Sequence, residues 1–181
     1  MLSWQVEEEA KYSRLYRNGY PAGRPLKCIR YFDIDIGSKL IDLGCGTGEL
    51  SKSFKNYTGV DLSSYIIEQN KILNSGDYFE SCLTDLSGLE GDVFDVGVCF
   101  DVLEHLPPDR VQETIESISK LSVGAMYFAI CIRKSKKLDQ DGNNLHLTIR
   151  NDKWWKNELV KHFEVETFGR WKDLVMCQCR N

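Results

Sequence analysis

Three glycines, Gly44, Gly46 and Gly48, stand in strict alternation in "LIDLGCGTGEL", directly after a short apolar run that holds the acid Asp42. Missing Cβ atoms let such a turn adopt positive φ and let a ligand lie directly on the backbone. A helix starting behind it would offer free N–H groups to the same ligand. A structural turn needs one such glycine, so three in alternation favour ligand binding over the turn alone. Asp61 in "GVDLS" and Asp85 in "CLTDL" follow further apolar runs. A fixed carboxylate accepts two ligand hydrogen bonds at once, although acids at such places also cap the helix that follows. Asp101, Glu104 and His105 lie at i, i+3 and i+4, so any helical turn sets them on one face. With His146 they form an oxygen and nitrogen set suited to a divalent metal; acids stabilised by a helix N-terminus are the alternative. His105 and His146 are also the two histidines placed to take a proton from a ligand hydroxyl, whereas His162 falls in an amphipathic helical pattern and reads as structural.

These groups need a frame. Compact apolar runs over residues 39–43, 57–61, 78–83, 94–100 and 125–132, each bounded by turn residues, predict strands. Helical patterns lie between them. "SSYIIEQNKIL" opens on Ser63 as N-cap, and "DRVQETIESISKL" has Asp109 and Gln112 in capping-box spacing with Val111, Ile115, Ile118 and Leu121 along one face. Such alternation predicts a parallel sheet covered on both sides. After a helix near "DKWWKNELVKHF", the runs "EVETFGR" and "DLVMCQC" are too close for a crossover and should pair as an antiparallel hairpin. The expected fold is therefore α/β, a seven-stranded, mostly parallel, doubly wound sheet with a C-terminal antiparallel hairpin and helices on both faces. One domain over residues 1–181 is expected, with 1–30 as an N-terminal arm or lid and 38–181 as the core. Sheets of this kind bind ligands at the carboxyl ends of their strands, where the glycine turn lies.

Composition narrows the partners. The 181 residues are 42% hydrophobic with a formal net charge of -4, which gives no global pull toward nucleic acid. Seven cysteines, an odd number without a Cys-x-x-Cys, lie mostly in apolar runs and read as reduced thiols of a cytoplasmic protein. The opening "MLSWQVEEEAK" lacks the apolar core of a signal peptide, and no stretch reaches membrane-spanning length.

Counting from Gly44, the third glycine of a dinucleotide fingerprint would fall at Glu49, and a carboxylate beside a pyrophosphate disfavours a nicotinamide cofactor. From about residue 38 onward the chain instead resembles the class I S-adenosylmethionine-dependent methyltransferases. "IDLGCGTG" matches their glycine signature, Asp61 their second-strand acid, Asp85 their third-strand acid and "FDVGVCFDVLEHLPPD" their fourth-strand segment. The resemblance implies S-adenosyl-L-methionine as cofactor. Its amino-acid portion would rest on Asp42 and the Gly44, Cys45 and Gly46 backbone, and its ribose on Asp61 beside Leu62. Asp85 would face the adenine amino group with Leu86 packed on the ring, while Phe100 and Asp101 would border the methionine moiety. The "DVLEH" segment is similar to the metal-binding acid-x-x-Glu-His of small-RNA 2′-O-methyltransferases and some quinone-pathway O-methyltransferases, but carries Asp101 where those have glutamate.

Methyl transfer from a sulfonium is an in-line displacement, which needs proximity and alignment above all. For the acceptor side, Tyr16 and Arg24 of the basic, tyrosine-rich arm, together with Glu104 and Trp155, are the expected contacts. The cluster Arg133, Lys134, Lys136 and Lys137 reads as a solvated loop or as an attraction for an anionic acceptor. A small molecule is the expected acceptor. "LPPD" ends in an acid where DNA amino-methyltransferases carry a base-stacking aromatic, which argues against DNA. An RNA end or tRNA, and a cofactor-binding module without turnover, stay open as alternatives.

Overall fold

The computed structural model describes residues 3–21, 23–89 and 91–180. Two helices, α1 (Ser3–Arg17) and α2 (Pro25–Phe32), precede the sheet. Then follow β1 (Leu40–Leu43), β2 (Tyr57–Asp61), α3 (Ser64–Leu73), β3 (Asp77–Glu80), β4 (Val93–Phe100), α4 (Val111–Ser119), β5 (Ser122–Cys131), α5 (Asp152–Leu159), β6 (Glu164–Trp171) and β7 (Leu174–Arg180). The seven strands are ordered β3-β2-β1-β4-β5-β7-β6. β1 to β5 run parallel, and β7 pairs antiparallel with both β5 and β6. Fold class and hairpin are as expected from the sequence.

Every residue of β1 and β2 is buried, as strands covered on both faces require. Period-2 alternation divides the core into two layers. Ile41, Leu43, Cys99, Phe128 and Val175 pack under α4 and α5 on one face, and Leu40, Val98, Ala129 and Met176 pack with Cys28 and Ile29 of α2 on the other. Val111, Ile115 and Ile118 of α4 are buried to within 1% exposure, and each such side chain contributes about 1.5–3 kcal/mol. No helix among the described residues is long and apolar enough to cross a membrane.

Three local expectations change. The third strand ends at Glu80 because Ser81 Oγ donates to the Asp85 carbonyl at 2.7 Å and Asp85 N to the Cys82 carbonyl at 2.9 Å, which turns the chain off the sheet. The fifth strand begins earlier, at Ser122. The Asp109 and Gln112 capping box does not form. Prolines 107 and 108 wind residues 108–110 into a 3₁₀ turn, the helix starts at Val111, and Gln112 bonds Glu158 of α5 instead. Ser63 does cap α3, accepting from Ile66 N at 3.3 Å, and Asn151 caps α5 by accepting from Trp154 N at 2.9 Å.

The chain leaves β1 toward β2 and β3, then returns to β4 on the other side. The carboxyl ends of β1 and β4 therefore flank a switch point, where the connections part to opposite sides.

Candidate active site

The glycine turn begins by continuing the pairing of β1 with β2: Gly44 N and Cys45 N both donate to the Val60 carbonyl, at 2.7 and 2.9 Å. Gly44 has φ +77°, and a Cβ there would meet Val102 Cγ2 at 2.4 Å, so only glycine fits. A 3₁₀ turn, Glu49–Lys52, follows in place of the expected helix. Two side chains of the α3 region brace the turn, Asn70 Nδ2 donating to the Gly46 carbonyl at 2.7 Å and Asn74 Nδ2 to the Thr47 carbonyl at 3.1 Å.

Asp61, at the carboxyl end of β2, is drawn into the same turn. Its Oδ2 accepts from Gly46 N at 2.9 Å and from Tyr16 Oη at 3.5 Å, and its Oδ1 accepts from Ser63 N at 2.9 Å. Burial pushes its pKa up while these donors pull it down. Asp42 is buried beneath the turn with one hydrogen bond, from Tyr57 Oη at 2.8 Å, and burial pushes it up to about 7.

Above these groups lies a cavity of 280 Å³. Asp42, Gly44, Cys45, Gly46, Asp61 and Leu62 contribute to its floor from β1 and β2. Phe100, Asp101, His105 and His146 contribute from the β4 and β5 side, and Tyr16 reaches in from α1. The structure thus brings together eleven of the residues singled out from sequence. Among the described residues, four carboxylates (Glu8, Asp42, Asp61 and Asp101) and a single cationic side chain, Lys137, line it.

The remaining expected residues lie elsewhere. Asp85 is exposed and turned outward, its Oδ1 accepting from Ser87 Oγ at 2.7 Å and Ser87 N at 3.2 Å, bonds that lower its pKa. With Leu86, which packs into the core, it borders a separate depression next to α4. Cys82 and Leu83 face the cavity in their stead. Trp155 is fully buried in the core, because α5 packs against the sheet by that side of the helix. Half-buried Trp154 lies under the Arg150 guanidinium, 5.7 Å from its ring centre. Arg24 is no free anion receptor either: it bridges Asp101 Oδ1 and Asp173 Oδ1, each at 3.2 Å, and so ties the linker after α1 to the β4 end and the β6–β7 turn.

The acid and histidine cluster forms without Asp101. That residue sits at φ +54° and turns to Arg24, while a 3₁₀ turn, Leu103–His105, carries Glu104 and His105. Leu147 N and Thr148 N donate to the Glu104 carbonyl at 2.9 and 3.0 Å, which brings His146 to His105 with ring centres 4.7 Å apart. Glu104, His105 and His146 place ligand atoms within 4.8 Å of one another. Glu104 is completely buried; Oε1 accepts from Cys131 N at 3.1 Å and Oε2 has no partner. Burial, then the Asp101 charge, raise its pKa well above the carboxylate range.

Protonation at the histidines follows from their partners. Burial, with His146 adjoining, pulls His105 down to about 3, so it is neutral. One ring N–H points to the Leu145 carbonyl, which leaves Nδ1 to accept from Tyr12 Oη at 2.8 Å. Burial holds Tyr12 well above its ordinary pKa, so that proton stays on the phenol. His146 Nδ1 lies 2.7 Å from the Arg133 carbonyl, so Nδ1 is the donor and, in the neutral tautomer, Nε2 is the acceptor. His162 pairs with Gln112 at 3.4 Å, away from the cavity.

α1 roofs the cavity. Trp4, Glu8, Tyr12 and Tyr16, at intervals of four, all line it. Side-chain bonds hold the helix down: Gln5 Nε2 to Thr84 Oγ1 at 3.2 Å, Ser13 Oγ to Ser63 Oγ at 2.8 Å, and Ser64 Oγ to Glu9 Oε1 at 2.7 Å. Trp4, Glu8, Cys82, Leu83, Asn70 and Asn74 had drawn no attention in sequence; the four-residue spacing along α1 was the one signal that pointed to any of them.

A methyltransferase-domain family model matches residues 41–122, the span from β1 to the start of β5. A ubiquinone biosynthesis O-methyltransferase of Hahella chejuensis is 28% identical over 159 residues, 80% of this chain and 66% of that protein. Its counterpart in Coxiella burnetii is 31% identical over 152 residues, 72% and 64% of the two chains. The chain thus spans roughly half to two thirds of these relatives, down to 45% for one from Erwinia tasmaniensis. Among solved structures, magnesium protoporphyrin IX methyltransferase of Synechocystis with bound SAH superposes at a TM-score of 0.68 with 16% identity, over 98% of this chain and 99% of that one. A Burkholderia thailandensis 1,6-didemethyltoxoflavin-N1-methyltransferase superposes at 0.66 with 16% identity, over 98% and 87%. At that identity the superpositions establish the fold, and residues 41–122, which carry the glycine turn between β1 and β2, are similar to a methyltransferase domain.

Proposed function

We propose that the protein transfers the methyl group of S-adenosylmethionine to a hydroxyl or amine of a small molecule. One observation carries this reading: the Gly44–Gly46 turn, the Asp61 carboxylate and the neutral His105–Tyr12 pair all open onto one cavity. When bound, the cofactor supplies a methyl group on a cationic sulfur. The carboxylates of the cavity wall favour that charge. Glycine backbone and Asp61 would seat the amino-acid and ribose portions, with Tyr16 Oη, 3.5 Å from Asp61 Oδ2, beside them. On the acceptor side, His146 Nε2 has the lone pair to take a proton, and Tyr12, kept protonated, positions a nucleophile through its phenol oxygen. Closure by α1 excludes water. Lys137, over the Tyr20 ring at 5.1 Å, supports an acceptor with an anionic substituent. Seven free cysteines support a reducing compartment, the cytoplasm.

Glu104, His105 and His146 support a second reading, in which a divalent metal orients the acceptor oxygen. The unpartnered Glu104 Oε2 and the His146 Nε2 lone pair fit such an ion. A His105 nitrogen would have to give up Tyr12 or Leu145. Calorimetric titration with Mn²⁺ and Mg²⁺ separates the two readings, heat beyond dilution favouring the metal.

Transfer itself is tested with methyl-labelled cofactor and a panel of phenols, amines, tRNA and capped RNA. Label on a phenol or amine is the expected result. Binding without transfer would replace this reading with a non-catalytic module, and label on RNA would move the acceptor class.

A further inference from the structure

If the methionine portion lies on Gly44–Gly46 and the ribose on Asp61, the purine must extend to the far side of Asp61, because base and sulfur leave the sugar from opposite ends. The third-strand acid does not await it there, since Asp85 points to solvent and bonds Ser87. Leu62, Cys82, Leu83 and Leu106 give that end of the cavity an apolar wall. None of these side chains can pair with the polar edge of a base.

α1 closes the same end. Gln5 Nε2 bonds Thr84 at 3.2 Å, and the Arg110 guanidinium lies 5.3 Å from the Trp4 ring centre, so Trp4 spans the gap between the loops that follow β3 and β4. Its indole Nε1 is a buried donor with no acceptor among the described residues. One turn on, Glu8 lines the cavity beside it. Lys11 Nζ holds Glu8 Oε2 at 2.5 Å, and Oε1 is the carboxylate oxygen outside that pair.

Resting on the cofactor reading above, we propose that Trp4 and Glu8 of α1 read the purine, so that the roof helix replaces the strand-end acid in base recognition. An adenine edge presents an amino donor next to a ring-nitrogen acceptor. Glu8 Oε1 accepts from the amino group, and Trp4 contributes its ring face and its N–H. A 6-oxo purine sets a carbonyl oxygen against the Glu8 carboxylate and is rejected, because polar groups left unpaired in a buried site discriminate more strongly than apolar contacts. Binding the base and closing α1 are then one event.

Trp4 alone of the four tryptophans lines the cavity, since Trp154 and Trp155 belong to the core region and Trp171 lies beside Tyr31. Titrating S-adenosylhomocysteine and S-inosylhomocysteine, by calorimetry and tryptophan fluorescence, therefore tests the proposal directly. Wild type should favour the adenosyl compound at least about tenfold, with a fluorescence change on binding. Trp4→Phe should lose the fluorescence change and about tenfold in affinity. Glu8→Gln, whose amide can donate to a 6-oxo group, should erase most of the base preference. Ser13→Ala loosens the roof without touching the base and should weaken both ligands equally. A wild-type protein that binds both compounds alike, or a Glu8→Gln variant that keeps the preference, overturns the purine assignment while the cofactor reading stands. Wild type that binds neither compound overturns both.

Discussion

Floor and roof of the cavity are built on different terms. The floor is main chain: Gly44 N and Cys45 N both donate to the Val60 carbonyl, at 2.7 and 2.9 Å, which locks the glycine turn to the end of β2. The roof is side chains. α1 is held by bonds that reach across 79, 50, 55 and 93 residues, at Gln5, Ser13, Glu9 and Tyr12. Local main-chain geometry tolerates almost no change, whereas a distributed set of side-chain bonds loses one member at about 1 kcal/mol each. The floor should therefore decide whether cofactor binds, and the roof how selectively and how fast.

The largest effect is expected at Gly44→Ala. Positive φ and the 2.4 Å approach to Val102 Cγ2 should reduce cofactor affinity on the order of 100-fold and destabilise the fold by about 1–3 kcal/mol, read by calorimetry and urea unfolding. Asp61→Asn comes next. Its amide keeps one oxygen acceptor but turns N–H₂ toward either Gly46 N or Ser63 N, so stability falls by about 1–3 kcal/mol, and loss of the charge-assisted ribose bonding weakens binding roughly 10- to 100-fold. Equal affinity in either variant would break the contrast from the floor side.

Asp42→Asn sharpens it through pH. The folded Asp42 carboxyl, pushed up to about 7, binds its proton more tightly than in the unfolded chain. Its contribution to stability is complete below about pH 4 and fades as pH rises through 7, at no more than about 1.4 kcal/mol per pH unit. Urea unfolding at pH 4.5 and 7.5 should show wild type losing stability relative to the variant as pH rises; a constant difference would remove the buried, protonated acid.

On the roof, Tyr12→Phe removes the bond to His105 Nδ1, and about 1 kcal/mol in the transition state lowers kcat several-fold with KM for the cofactor unchanged. The smallest effect belongs to Asp85→Ala. Lying outside the cavity, it should leave both cofactor affinity and the urea midpoint unaltered. A tenfold loss of affinity there would return base recognition to the strand end.

Strand periodicity, the glycine turn and the crowded hairpin were enough to read the seven-stranded sheet and its reversed end from the chain alone, while the resemblance to the class I methyltransferases pointed to most of the eleven expected residues that line the cavity. Those features are legible because period-2 alternation and positive-φ turns are properties of neighbouring residues. Asp85, Trp155 and Arg24 were misplaced for one shared reason. Each lies on an irregular turn, a helix or a linker, where the direction of a side chain depends on a partner distant in sequence: the Ser81 and Ser87 bonds at Asp85, the packing of α5 at Trp155, and the Asp101–Asp173 pair at Arg24. Asp101 was read as a helical neighbour of Glu104 and instead turned away at positive φ.

The sequence by itself determined the scaffold and the ligand-bearing turn, since both follow from backbone preferences repeated over a few residues. Only the tertiary structure decided which residues hold α1 across the strand ends, that its four-residue stripe lines a cavity rather than the core, and that Asp101 turns away from Glu104 and His146. Those are contacts between segments far apart in the chain, set by which faces the sheet leaves open.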